Sequence, residues 1–352
     1  MKERQNLLLG SVIIVLISYI FYDSYFREQV NAPQKVITSE KKPTHLEVYT
    51  FDIPEDLNFA GEPVPTENPD IRERFDREVH VNTYWHSSTV FMIKRANRWF
   101  PIIEPILQKN GIPEDFKYLA VIESSLTNVV SPKKAVGFWQ LLGGTAKEWG
   151  LEVNNEVDER YHPAKSAEVA CKYIKKAYKR LGNWTSAAAS YNMGVYGLSK
   201  RLKEQKVDSY YDLLLNHETS RYVFRALALK EIMENPEHYG YKIPEEHLYH
   251  DIPLKEIVVT RTIPNLVDFS NSLGINYKTL KLYNPWLRKN RLTVRNKRSG
   301  YVISVPESVS EELIARFQNK KTGRVSAVAR SDEEESLSES PKDLQSLNTR
   351  PE

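Results

Sequence analysis

The sequence predicts a mainly α protein, an all-α domain followed by a small α+β domain, and two changes of pattern carry that prediction. From Val81 to about residue 245, apolar residues recur at helical spacing with only short breaks. Over residues 253–307 the pattern becomes strand, helix, helix, strand.

Taken in order, Lys2 and Arg4 precede an uncharged apolar run from Leu7 to about Tyr22. Residues 1–24 therefore read as a membrane anchor or a signal segment. No A-x-A arrangement follows, and Tyr19, Phe21 and Tyr22 suit a membrane interface, so an uncleaved anchor is favoured, with its positive end inside and the rest of the chain outside. Residues 25–80 are rich in proline and charge; Pro54, Pro63, Pro65 and Pro69 argue against a long helix and suggest a tether with some ordered stretches.

The helical region, residues 81–245, breaks at Pro101 to Pro105, Gly111-Ile112-Pro113, Gly143-Gly144, Pro163 and Gly182-Asn183. After Pro113, Glu114 and Asp115 complement the positive end of a helix dipole, and Phe116 and Tyr118 to Ile122 make that helix apolar nearly all round. Glu123 lies near its end, on the face of Phe116 and Leu119. A helix over Pro163 to Leu181 places Ala167, Ala170, Cys171, Ile174 and Ala177 on one stripe, which makes Cys171 a core residue. The segment Trp184 to Tyr191, with Ala187-Ala188-Ala189, reads as the central helix. In the second domain, Ile257 to Val259 and Tyr301 to Val305 read as strands and 266–273 and 277–282 as helices. Residues 320–352 are polar and read as a disordered tail.

Composition excludes several function classes. The chain has 352 residues, and 49 Lys and Arg are interleaved with 46 Asp and Glu for a net charge of +3, so nucleic-acid binding is not indicated. A single cysteine excludes an internal disulfide and any multi-cysteine metal site. Eight histidines lack HExxH spacing, and no metal or cofactor is expected.

A desolvated glutamic acid keeps its proton near neutral pH and can protonate a glycosidic oxygen. Glu123 alone also fits a helix cap or an ion-pair partner. Its company narrows the choice: Glu123-Ser124-Ser125 is followed by Ser131-Pro132, Gly137-Phe138-Trp139-Gln140, Thr145-Ala146, Asp158-Glu159-Arg160, Ser190-Tyr191-Asn192-Met193-Gly194 and Glu218 to Val223. In that order and spacing, residues 81–240 resemble the family 1 lytic transglycosylases, most like the membrane-bound type D group, which has a lysozyme-like catalytic fold of the goose type.

The resemblance implies that Glu123 is the catalytic acid and then base. It also implies that Ser131 orients the sugar, Gln140 contacts the sugar or its substituent, and Tyr191, Asn192 and Tyr222 line the groove. On the residues alone, Gln140 and Asn192 also fit buried amides that satisfy backbone groups, Ser131 a turn, Tyr191 and Tyr222 core packing, and Asp158 to Arg160 a local ion pair and cap. Lys134, Ser190, Met193 and Leu141-Leu142-Gly143 depart from the family pattern without removing a functional group.

The implied reaction is non-hydrolytic cleavage of the MurNAc-GlcNAc β-1,4 bond of peptidoglycan, leaving a 1,6-anhydroMurNAc end. A lysozyme-like muramidase and an inactive peptidoglycan-binding protein are the alternatives. The second domain resembles a LysM module through Asn284-Pro285-Trp286-Leu287 and Gly300 to Pro306, but Arg261 to Pro264 replaces the usual opening turn. It therefore binds glycan or simply packs on the first domain. Peptidoglycan strands are the expected partner, and the periplasmic face of the inner membrane the expected location.

Overall fold

The computed structural model describes residues 48–295, 300–315 and 317. The expected anchor at 1–24, the tether up to residue 47 and the expected tail at 320–352 lie outside the described residues.

Asn58–Phe59 (β1) and Glu62–Pro63 (β2) form a small antiparallel hairpin. It delivers the Glu62 carboxylate to the start of a later helix, where it accepts the N–H groups of Trp184 at 2.6 Å and Thr185 at 2.8 Å. Pro69–Tyr84 (α1) follows, capped by Asn68, whose side chain accepts the Asp70 N–H at 3.0 Å. Pro69 thus opens a helix instead of preventing one, because the first helical position needs no N–H. The tether expected over 25–80 accordingly gives way before its end to packed structure: Leu57, Phe59, Val64, Ile71, Phe75 and Val79 are core residues. Scattered among prolines, they show no period of their own, and their partners come from distant helices.

His86–Lys109 (α2) runs continuously through Pro101 and Pro105, where a break was expected. Both prolines lie on the exposed face, four residues apart, so the carbonyls they leave without a donor are on the side away from the core. A single 3₁₀ turn at Glu114–Phe116 leads into Lys117–Ser124 (α3), whose residues from Tyr118 to Val121 are almost completely buried. Gly143–Glu148 (α4), Pro163–Leu181 (α5), Trp184–Met193 (α6), Val195–Gln205 (α7) and His217–Glu234 (α8) complete the helical body. Cys171 is buried on the inward stripe of α5. Ala187, Ala188 and Ala189 have no exposed surface, and these small side chains let α6 pack closely between α5 and α8.

The small domain pairs Leu254–Val259 (β3) antiparallel with Tyr301–Pro306 (β4), Ile257 opposite Ile303. Between them lie Leu266–Ser272 (α9) and Tyr277–Tyr283 (α10), each capped by an asparagine, and Glu311–Ala315 (α11) follows. The Asn of the Asn-Pro-Trp-Leu segment is a buried pin: Asn284 donates to the carbonyls of Leu280 at 2.9 Å and Ser304 at 2.6 Å and accepts the Ser304 N–H at 2.8 Å. Among the described residues no helix is long and apolar enough to cross a membrane, and no acidic, histidine or cysteine cluster could hold a metal.

Candidate active site

Glu123 sits in the last turn of α3, half-buried, and the chain turns away abruptly behind it. Ser125 and Leu126 both adopt left-handed backbone conformations, with φ of 52° and 55°. Neither is glycine, so the surrounding fold must hold them there, at a cost of about 1–2 kcal/mol each. Arg95 on α2 helps by donating to the Ser125 carbonyl at 3.2 Å.

The Tyr222 hydroxyl, from α8, donates to Glu123 Oε1 at 2.6 Å. Desolvation raises the Glu123 pKa and outweighs the opposing effects of the Tyr222 hydrogen bond and the Arg225 charge, while Glu218 raises it further. The outcome is a carboxyl group that holds its proton above the usual range, beside donors ready to receive its anion. Arg225 is fixed by donating to the Ile122 carbonyl at 3.0 Å, one residue from Glu123.

In the sequence Glu218 stood out only as part of a motif, without a role, and Arg225 not at all, although the signal was present. Glu218, Tyr222 and Arg225 are spaced four and three residues apart on α8 and so share one helix face.

Tyr191 and Asn192 end α6. Tyr191 donates its hydroxyl to the Trp139 carbonyl at 2.8 Å, and burial followed by the Glu123 charge pushes its pKa well up. Asn192 donates to Glu218 at 3.0 Å and accepts from the Thr219 hydroxyl at 2.8 Å, so it ties the end of α6 to the start of α8.

Ser131 and Gln140 lie on the loop between α3 and α4, where they hold the loop's own shape. Ser131 Oγ accepts the Ala135 N–H at 3.0 Å. The Gln140 amide nitrogen donates to the carbonyls of Val129 at 3.1 Å and Gly137 at 2.8 Å. Both amide hydrogens are therefore used, and what Gln140 can offer a ligand is its carbonyl oxygen. At Gly137, with φ of 81°, a Cβ would lie 2.1 Å from the Arg160 carbonyl oxygen, so only glycine fits. Lys134, which departs from the family pattern where glycine is common, has φ of 63°.

Gln140, Trp149, Tyr173, Tyr191, Asn192 and Tyr196 line a groove of about 910 Å³. A second cleft of about 230 Å³ is lined by Val81, Trp85, Glu218 and Arg225 among others. The Asn192 to Glu218 hydrogen bond joins the walls of the two. Glu123 is in the lining of neither, yet it is coupled to Tyr191 of the first and to Glu218 and Arg225 of the second. An aromatic groove edged by Glu148, Lys176 and Arg180 suits the flat apolar faces and hydroxyls of sugars.

Residues 100–213 match the family described as Transglycosylase SLT domain, and residues 255–309 match the Soluble lytic transglycosylase C-terminal LysM-like domain. The chain is 25% identical over 268 residues to the membrane-bound lytic murein transglycosylase D of Escherichia coli strain K12, and equally to that of Escherichia coli O6:H1 strain CFT073. The matched region is 74% of this chain and 56% of those relatives, so the chain spans a little over half of their length. The chain thus carries an SLT transglycosylase domain followed by a C-terminal LysM-like domain.

Proposed function

We propose that this protein is a peptidoglycan lytic transglycosylase with Glu123 as its acid and base. The observation that carries the reading is a desolvated Glu123 receiving the Tyr222 hydroxyl where α3, α6 and α8 meet. Protonated Glu123 donates to the oxygen between MurNAc and GlcNAc, and that bond breaks as the GlcNAc leaves with its hydroxyl restored. The Glu123 carboxylate, stabilised by Tyr222 and Arg225, then takes the proton from the MurNAc C6 hydroxyl, whose oxygen closes on C1 to give the 1,6-anhydro ring. No water is consumed, and the acid is regenerated. Intramolecular attack needs the sugar held in a reactive shape, which assigns Gln140, Tyr191 and Asn192 to the groove wall and Ser131 to its loop.

Similarity to membrane-bound enzymes, together with the apolar segment at Leu7 to Tyr22, supports action at the periplasmic face of the inner membrane. Fractionation with a protease-accessibility assay checks this, and a catalytic domain protected inside the cytoplasm would exclude it.

One observation favours a second reading, a muramidase that hydrolyses the same bond. Glu218 lies near enough for its charge to raise the Glu123 pKa, and a second carboxylate can act as base for water. Mass analysis of products from purified sacculi separates the two, since the anhydro product is lighter by one water than the hydrolysed one. Glu123→Gln should lower cleavage by about 10²- to 10⁴-fold. Glu218→Gln should leave the anhydro product unchanged; a hydrolysed product made by the parent and lost in that variant would favour the muramidase.

A further inference from the structure

The LysM-like domain is fused to the helical body by a continuous interface. Val157 and Leu287 form an antiparallel bridge, flanked by Asp158 N–H to Trp286 O at 2.9 Å and Arg288 N–H to Glu156 O at 2.7 Å. The Glu156 carboxylate accepts the Thr293 N–H at 2.8 Å and pairs with Arg291 at 3.0 Å. The Arg288 guanidinium stacks 3.8 Å from the centre of the Tyr161 ring. Val136, Val157 and Tyr161, all from the helical body, belong to the hydrophobic core of the small domain. Trp286, within the Asn-Pro-Trp-Leu segment, is 5% exposed and stacks on Tyr301, so it is not free to take a sugar.

From this interface a short chain of contacts reaches the groove. Asp158 is held at its backbone N–H by the small domain, while its carboxylate grips Arg160 through two parallel bonds of 2.9 and 2.7 Å. Arg160 spends its remaining reach on the groove loop: Nη1 donates to the carbonyls of Lys134 at 3.0 Å and Leu141 at 3.1 Å. The Arg160 backbone lies against Gly137. Ser131 and Gln140 are on that loop, and Val136, between them, is anchored in the small domain's core. We infer that the LysM-like domain is a fixed brace for the loop carrying Ser131 and Gln140, and that Arg160 is the positioning residue that passes its support to the groove. This rests on the glycan-cleaving function proposed above.

The test loosens the interface without touching Arg160 or the groove. Glu156→Ala and Arg288→Ala, combined in the full chain, remove partly exposed side chains at the junction. Hydrogen exchange should quicken at the amides of Ser131, Gly137 and Leu141, which bond within the loop, while the amides of α6 stay protected. Unchanged exchange in the loop overturns the brace whether or not the protein is an enzyme. On a soluble glycan tetrasaccharide the same variant should lose about tenfold in kcat/KM, the cost of misplacing a sugar by a fraction of an ångström. The loss on sacculi should be proportionate. A loss on sacculi alone would make the domain only a glycan binder. Arg160→Lys should recover part of what Arg160→Ala loses on the tetrasaccharide, since lysine restores a charge and one donor but not the fork. A wild-type protein inert on both substrates would count against the proposed activity, and the exchange result would still decide the brace.

Discussion

At the scale of single residues, two of the unfavourable arrangements that the fold tolerates at the site make predictions. The first is Glu123. Its folded pKa is raised above the ordinary 4.5, so the folded state holds the proton more tightly than the unfolded chain does. Below 4.5 this favours folding; as pH climbs through the raised value that contribution is lost, and the ionised group becomes a burden. Glu123→Gln should therefore be more stable than the parent at neutral pH, by about 0.5–2 kcal/mol, with the gap closing towards acid. Thermal melts at several pH values check the sign, and a gap that widened in acid would contradict the raised pKa. The second is Lys134, held at φ of 63° with its carbonyl serving Arg160. Lys134→Gly should gain about 1 kcal/mol by removing the left-handed penalty, read from denaturant midpoints at constant slope. The sequence displayed Lys134 as a departure from the resembled pattern; only the backbone angle shows that the departure carries a cost.

Elements explain what was legible and what was not. Helix α5 was readable because its apolar stripe is local and long, α6 because of its run of alanines, and the small domain because two helical patterns lie between short β-branched runs; its caps at Asn265 and Asn276 went unread. Prolines misled where position outweighed identity: Pro69 sits at the first helical position, and Pro101 and Pro105 on an exposed face. The groove loop was readable only as motifs, since Ser131 and Gln140 act on their own loop's backbone and the support from Arg160 is non-local. On α8 the stripe of Glu218, Tyr222 and Arg225 makes an element-level prediction. Activity that depends on protonated Glu123 falls as pH rises through its pKa. Tyr222 and Arg225 lower that pKa and Glu218 raises it. Tyr222→Phe and Arg225→Gln should shift the alkaline limb of the kcat/KM profile to higher pH, and Glu218→Gln to lower pH. Shifts in a common direction for all three would mean that this limb does not report Glu123.

Across the whole molecule, the hydrophobic core of the small domain does not stop at the domain boundary. Val136, Val157 and Tyr161 are its members although they belong to the helical body, and each is less than 9% exposed. Burying a side chain of this kind contributes about 1.5–3 kcal/mol, and the backbone bridge of Val157 with Leu287 adds hydrogen bonds that neither domain can satisfy alone. Coupling of that size is comparable with the stability of a small domain, so unfolding one domain strips the other of support it cannot spare. Calorimetry of the full chain should accordingly show one transition covering both domains, with calorimetric and van't Hoff enthalpies in agreement. Glu156→Ala with Arg288→Ala should split it into two, the small domain melting first because it has the smaller core of its own. Two independent transitions in the parent chain would show the domains to be linked only by sequence, and the shared core to contribute little.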